Sequence, residues 1–130
     1  MIELELGFPP SVNHYKRVGP ITTTKSGKLY QKRINTAATN RFYWEVWVKV
    51  MGLKAQEGFK SFHSAMILAI EVDLHYPDHR KRDIDNNIKI IFDSLVRSQL
   101  IPDDSQIARL LVQRKDIIPD GLVKVRVYEV

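Results

Sequence analysis

Cysteine is absent from the 130 residues. Disulfides, thiolate metal centres and cysteine nucleophiles are therefore excluded. The absence agrees with a reducing cytosol. No stretch approaches the roughly 18 to 20 apolar residues of a membrane span. The opening MIELELGFPPSVNHY carries acids where a secretory signal would carry bases, and its apolar run breaks too early for one. The expectation is a soluble, cytoplasmic protein. Histidine is scarce, with four residues. No Ser-His-Asp triad, P-loop or dinucleotide fingerprint is visible, and no nucleotide cofactor is expected. Internal repeats and low-complexity segments are missing too.

What is there suits one domain spanning residues 1–130, with 44% hydrophobic residues to build a core without staples. The net charge of +5 and the pI near 9.5 favour a polyanionic partner, either nucleic acid or an anionic membrane surface. The positive charge is partly clustered. Lys25 to Arg33 holds four basic residues and no acid, and His-Arg-Lys-Arg occupies 79–82.

Periodicity gives the order β, loop, α, β, α, β, β. Met1 to Leu6 reads as a strand, ended by Pro9-Pro10. Val12 to Arg33 reads as an extended loop or hairpin with a turn at Ser26-Gly27. From Asn35 to Gln56 the spacing of Phe42, Val46, Val50 and Leu53 predicts a helix capped by Asn35 or Thr36. Tyr43, Trp44 and Trp47 are expected to widen its core face rather than to form a base-stacking platform. Ala65 to Tyr76 alternates as a strand with one buried and one polar face. Ile84 to Ser98 predicts a second helix with Ile84, Ile88, Ile91 and Leu95 inward. Two strands follow, Gln106 to Lys115 and Leu122 to Val130, joined by a turn at Pro119-Asp120-Gly121. The fold class is α+β: one mixed sheet packed with two main helices.

The segment RDIDNNIKIIFDSLVRSQLIPDD, from Arg82 to Asp104, gathers aspartates at both ends of the second predicted helix. Each alone reads as punctuation. Asp83 can cap the helix, Asp85 suits the positive end of its dipole, and Asp103-Asp104-Ser105 is turn chemistry. Read together, Asp83, Asp85 and Asp104 would repel unless a divalent cation joined them. Oxygen ligands without cysteine suit Mg²⁺ or Mn²⁺ rather than Zn²⁺, and a metal role for His75 or His79 is the weaker alternative. A helix of 15 residues is roughly 22 Å long at about 1.5 Å per residue. The two ends therefore meet only if the chain after Pro102 returns along the helix, with Ile107 to Val112 beside Ala65 to Tyr76, or if a neighbouring chain supplies the third carboxylate. Lys89 follows Asp85 by one turn, as an ion-pair partner or as a phosphate-holding cation. Beside carboxylates holding a metal, the basic run would bind a phosphate backbone.

These residues resemble the RusA family of Holliday junction resolvases. The resemblance rests on HYPDHRKRDIDNNIKIIFDSLVRSQLIPDDSQI and on PPSVNHY near the N-terminus. It implies a small homodimeric Mg²⁺-dependent endonuclease of a kind often carried by phages, with Mn²⁺ as a substitute, cutting four-way junction DNA by paired nicks. It places Asp83, Asp85 and Asp104 on the metal-binding acidic positions and Lys89 on the catalytic lysine. Arg82 falls on a basic position implicated in DNA handling, and Arg80 and Lys81 belong to the same basic run; Asn13, Tyr15 and Lys16 belong to a DNA-contacting or site-facing loop. Asn86 and Asp103 are supporting positions, and Asp93 matches the motif while also fitting a structural role. Asn87 departs from the pattern, standing where an apolar residue is common. Independently of the resemblance, a junction with two-fold symmetry needs two cuts, and a two-fold homodimer provides two sites. Its interface could be a strand edge or the Trp44/Trp47 helix. A non-catalytic DNA-binding phage protein and a nuclease acting on flaps or forks are the competing readings.

Overall fold

A computed structural model describes residues 1–130. Four strands form one mixed sheet in the order β1 (Ile2–Leu6), β6 (Leu122–Glu129), β4 (Leu68–His75), β5 (Ile107–Arg114). β2 (Lys16–Thr23) and β3 (Leu29–Asn35) form a separate hairpin around the expected Ser26-Gly27 turn. Helices α1 (Ala37–Lys54) and α2 (Ile88–Arg97) complete the α+β architecture that the periodicity predicts. No helix is long and apolar enough to cross a membrane.

β4 is the centre of the sheet. It pairs antiparallel with β6 and parallel with β5. Its even-numbered residues Leu68, Ile70, Val72 and Leu74 are fully buried. Its odd face carries Glu71 and Asp73, clasped by Arg126 of β6 at 3.2 and 2.9 Å, with the Tyr128 hydroxyl donating to Glu71 at 2.6 Å. β5 and β6 follow each other in sequence yet flank β4 on opposite sides. The 115–121 connection therefore crosses the end of β4. Gly121 sits there at φ +76°, and a Cβ would lie 2.7 Å from Phe8, so only glycine fits.

α1 is capped by Thr36, whose hydroxyl accepts from the Thr39 amide at 3.3 Å. Phe42, Val46 and Val50 face the core as expected, and Tyr43 joins them. Trp44 and Trp47 do not. They are 63% and 43% exposed. At about 100° per residue, Trp44 falls opposite the stripe set by Phe42 and Val46.

α2 begins four residues later than predicted. Ile84 to Asn87 form turns, and Ile84 is exposed while Ile90 takes a core place beside Ile91 and Leu95. A long-range anchor overrides the local pattern. The buried Asn87 amide donates to the carbonyls of Pro9 and Pro10, both at 3.1 Å, and the Asn86 carbonyl accepts from the Val12 amide at 2.6 Å. Asn87 thus occupies the position before the helix, and the apolar-to-polar departure noted in the sequence becomes a tie between segments. Replacing Asn87 by alanine leaves two carbonyls without their donor and should lower unfolding stability by about 1–3 kcal/mol. Urea denaturation reads this directly; an unchanged midpoint would show that the anchor contributes nothing.

Candidate functional site

The later start of α2 changes the status of the aspartates. Asp83 and Asp85 lie in the loop between β4 and α2, not on the helix. Neither caps α2, whose capping residue is Asn87. Both side chains are exposed, and neither makes an ion pair or side-chain hydrogen bond within the chain. A charge left free in this way is available to an outside ligand.

The loop carrying them is held by arginines. Arg82 Nη1 donates to Asp78 Oδ1 at 2.7 Å, and its guanidinium lies 5.4 Å from the Tyr76 ring centre. Arg114 covers the same ring at 5.2 Å and donates to the Arg82 carbonyl at 2.7 Å. Arg82 is therefore engaged inside the protein, while Arg80 and Lys81 are exposed. Burial raises the Tyr76 hydroxyl's pKa; the two arginines oppose this and the charges of Asp83 and Asp85 add to it. Arg114, not foreseen from the sequence, reaches this junction because β5 runs parallel to β4, with Leu74 opposite Arg114.

The same register decides where Asp104 goes. β5 does lie beside β4, the arrangement required for a return along the helix, but it begins opposite Leu68. Asp104 opens the short turn before β5, and Asp83 lies in the loop between β4 and α2. No three His, Asp or Glu side chains come together closely enough to hold a metal ion. Asp83 and Asp85 share one loop, and Asp104 completes no three-carboxylate cluster with them. Asp103 is turn punctuation, accepting from the Ser105 amide at 2.9 Å in a capping box with Gln106. That backbone bond lowers its pKa.

Asp104 instead shares a groove of about 350 Å³ with Lys89, Asp93, Arg97, Lys16 and Tyr15. Lys89 Nζ donates to Asp93 Oδ1 at 2.9 Å. The bond to Asp93 raises the lysine's pKa, with the Asp104 charge adding to it. The Tyr15 hydroxyl donates to the other Asp93 oxygen, and Tyr43 donates to Tyr15 at 2.8 Å. Burial, then the Asp93 bond, pushes the Tyr15 pKa up and keeps it a donor. Tyr15 is thus partly buried, with its hydroxyl engaged inside the protein. Lys16 and Asn13 are exposed. His75 Nδ1 is taken by the Asp116 carbonyl at 2.7 Å. The Tyr43–Tyr15–Asp93–Lys89 chain joins residues far apart in sequence; each was singled out in the sequence, but nothing there linked them.

Hard oxygen donors on an exposed loop suit a hydrated divalent cation, which takes one or two protein carboxylates and keeps several waters. The Asp83–Asp85 pair meets that requirement; the three-carboxylate set does not form within one chain.

A small α+β protein with free carboxylates, a clamped lysine and neighbouring cations belongs to a class suited to phosphodiester chemistry. The endodeoxyribonuclease RusA profile matches residues 8–128, and the chain belongs to this family. It is 27% identical over 128 residues to a crossover junction endodeoxyribonuclease RusA of Shigella sonnei, covering 97% of this chain and 92% of the relative. It is 28% identical to the enzyme of that name from Enterobacteria phage 82, covering 97% and 92%. For the one from phage HK97 the identity is 29%, covering 95% and 91%.

The Arg82 bond and the Arg80 amide depress the Asp78 pKa from 3.8 to about 2. Because the folded value is the lower one, the clasp's contribution is complete above the ordinary carboxylate range and is lost as pH falls through about 2. Carboxyl ¹³C shifts should titrate there in the native protein and move back up in Arg82→Ala. An ordinary midpoint in the native protein would mean the clasp is not formed.

Proposed function

We propose that this protein is a Holliday junction resolvase, cutting phosphodiester bonds in four-way junction DNA by paired symmetric nicks, in recombination and repair. It acts in the cytoplasm, as a homodimer, with Mg²⁺ as cofactor and Mn²⁺ as a substitute. The observation carrying this is the free Asp83–Asp85 pair on the loop leading into α2, whose first turn carries the clamped Lys89, in a protein of net charge +5. Membership in the RusA family and alignment over nearly the whole chain support it.

Asp83 and Asp85 are the ligands one chain offers to the cation. When bound, such an ion polarises a phosphate and makes hydroxide accessible near neutral pH. Lys89 spends one of its three N–H donors on Asp93, which leaves two for phosphate oxygens as charge develops. Asp93, gripped on both oxygens by Lys89 and Tyr15, fixes that ammonium over the groove. Arg80, Lys81 and Lys16 bind the DNA backbone, and Asn13 lies on the same side of the assignment; Arg82 acts through the loop it clasps. Asn86 supports the loop through its carbonyl, and Asp103 shapes the turn that presents Asp104. Asp104 is the third acidic position of the family pattern, on the Lys89 groove. Two copies give two sites for two cuts.

Asp85→Asn should abolish cutting while leaving junction affinity unchanged or higher, since it removes a ligand and a negative charge near phosphate. Lys89→Ala should slow cutting by about 10²–10³-fold, the size of a lost transition-state donor, with a smaller effect on binding. Gel-shift and single-turnover assays separate these effects. Lost binding in Asp85→Asn would overturn its role. Cutting by Asp104→Asn at the native rate would remove Asp104 from the set.

A further inference from the structure

The outward face of α1 carries Trp44, Trp47 and Val48, exposed by 63%, 43% and 45%. The two indoles stack on each other, with centres 5.3 Å apart and planes 19° from parallel. Trp44 stands as a ridge between two open grooves. One, of about 550 Å³, runs along Phe8, Pro10, Ala38 and Arg41. The other, of about 370 Å³, runs along Asn40, Tyr43 and Arg97. Leaving this much aromatic surface in water is unfavourable.

A second observation points to what covers it. Gly52 lies inside α1 and is exposed. A Cβ there would meet nothing within 4 Å, and its φ is not positive. Glycine in a helix interior is less favourable than alanine, so nothing within this chain calls for it. Trp44, Val48 and Gly52 are spaced i, i+4, i+8 and form one ridge row along the helix. Gly52 lies about 12 Å along the axis from Trp44. If a second α1 packs antiparallel about a two-fold axis at Val48, residue 48 − n meets residue 48 + n of the other helix. Trp44 then falls on the partner's Gly52, and by symmetry the same contact forms twice. Arg41 falls on the partner's Ala55, at the helix C-terminus, where a cation is favoured.

We infer that this face of α1 is the interface between two copies of the chain, with each Trp44 seated over the partner's Gly52. The inference rests on the homodimer of the proposed function and gives it a surface. A stacked nucleobase would account for the tryptophans but not for the glycine, since a base on Trp44 gains nothing from a bare backbone two turns away.

Sedimentation equilibrium of the full chain, Gly52→Leu and Trp44→Gln tests this. The native protein should be a dimer. Both variants should weaken it by about 30-fold or more, the size of a hot-spot loss. Gly52→Leu should keep its helical circular dichroism and melt, as a monomer, no lower than the native monomer at high dilution, because leucine is the better helix former. A native protein that sediments as a monomer, or a Gly52→Leu dimer of native affinity, would overturn the inference. So would quenching of tryptophan fluorescence in a monomeric protein by a single-stranded oligonucleotide, which would assign the face to bases. A dimer that forms as described yet cuts no junction would keep the interface and defeat the activity.

Discussion

The buried amide of Asn87 holds the molecule's working end together. Its two N–H donors reach the carbonyls of Pro9 and Pro10, while its oxygen finds no donor. The tie therefore depends on the NH₂ alone. It joins the N-terminal segment to the head of α2 and stops the helix from extending back to Ile84. The residues thus kept out of the helix include Asp83 and Asp85. Had α2 begun at Ile84, Asp83 would have been consumed as a cap, its charge offset by amides. The anchor leaves both carboxylates unpaired on an exposed loop.

Around that loop the protein separates charges it uses for structure from charges it leaves free. Arg82 and Arg114 sandwich Tyr76, and Arg82 neutralises Asp78. Arg126 does the same for Glu71 and Asp73 on the sheet's other face, and Asp73 is lowered in pKa by that bond. Asp93 accepts from both Lys89 and Tyr15, and Lys89 keeps two N–H donors free. What remains unpaired at this end is a pair of aspartates and exposed Lys81 and Lys16, with the exposed Arg80 guanidinium 3.6 Å from Asp78, the combination a phosphate backbone with a divalent cation would satisfy.

Much of this was legible in the sequence because the core stripes are periodic. Phe42, Val46 and Val50 mark α1, and the alternation of Leu68, Ile70, Val72 and Leu74 marks β4. The misses share one cause: local pattern says nothing about long-range partners. Ile84 fits the i, i+4 stripe with Ile88, and only the tie from Asn87 to Pro9, 78 residues earlier, excludes it from the helix. Trp44 and Trp47 are apolar, but residue type cannot say whether a second layer covers their face. The β4–β5 pairing was foreseen as one route for joining the aspartates, yet its parallel register carries Arg114, not Asp104, to the loop. The acidic residues were visible as a motif; that they form no three-carboxylate cluster within one chain was not.

The most direct test is a cleavage assay on a mobile four-way junction, with linear duplex and fork controls, in Mg²⁺ and in EDTA. Paired symmetric nicks at the junction, present with Mg²⁺ and absent with EDTA, are the predicted result. Tight junction binding without cutting in Mg²⁺ or Mn²⁺ would contradict the account and leave a DNA-binding protein whose aspartates serve its loops, while preferential cutting of forks would move the substrate away from four-way junctions.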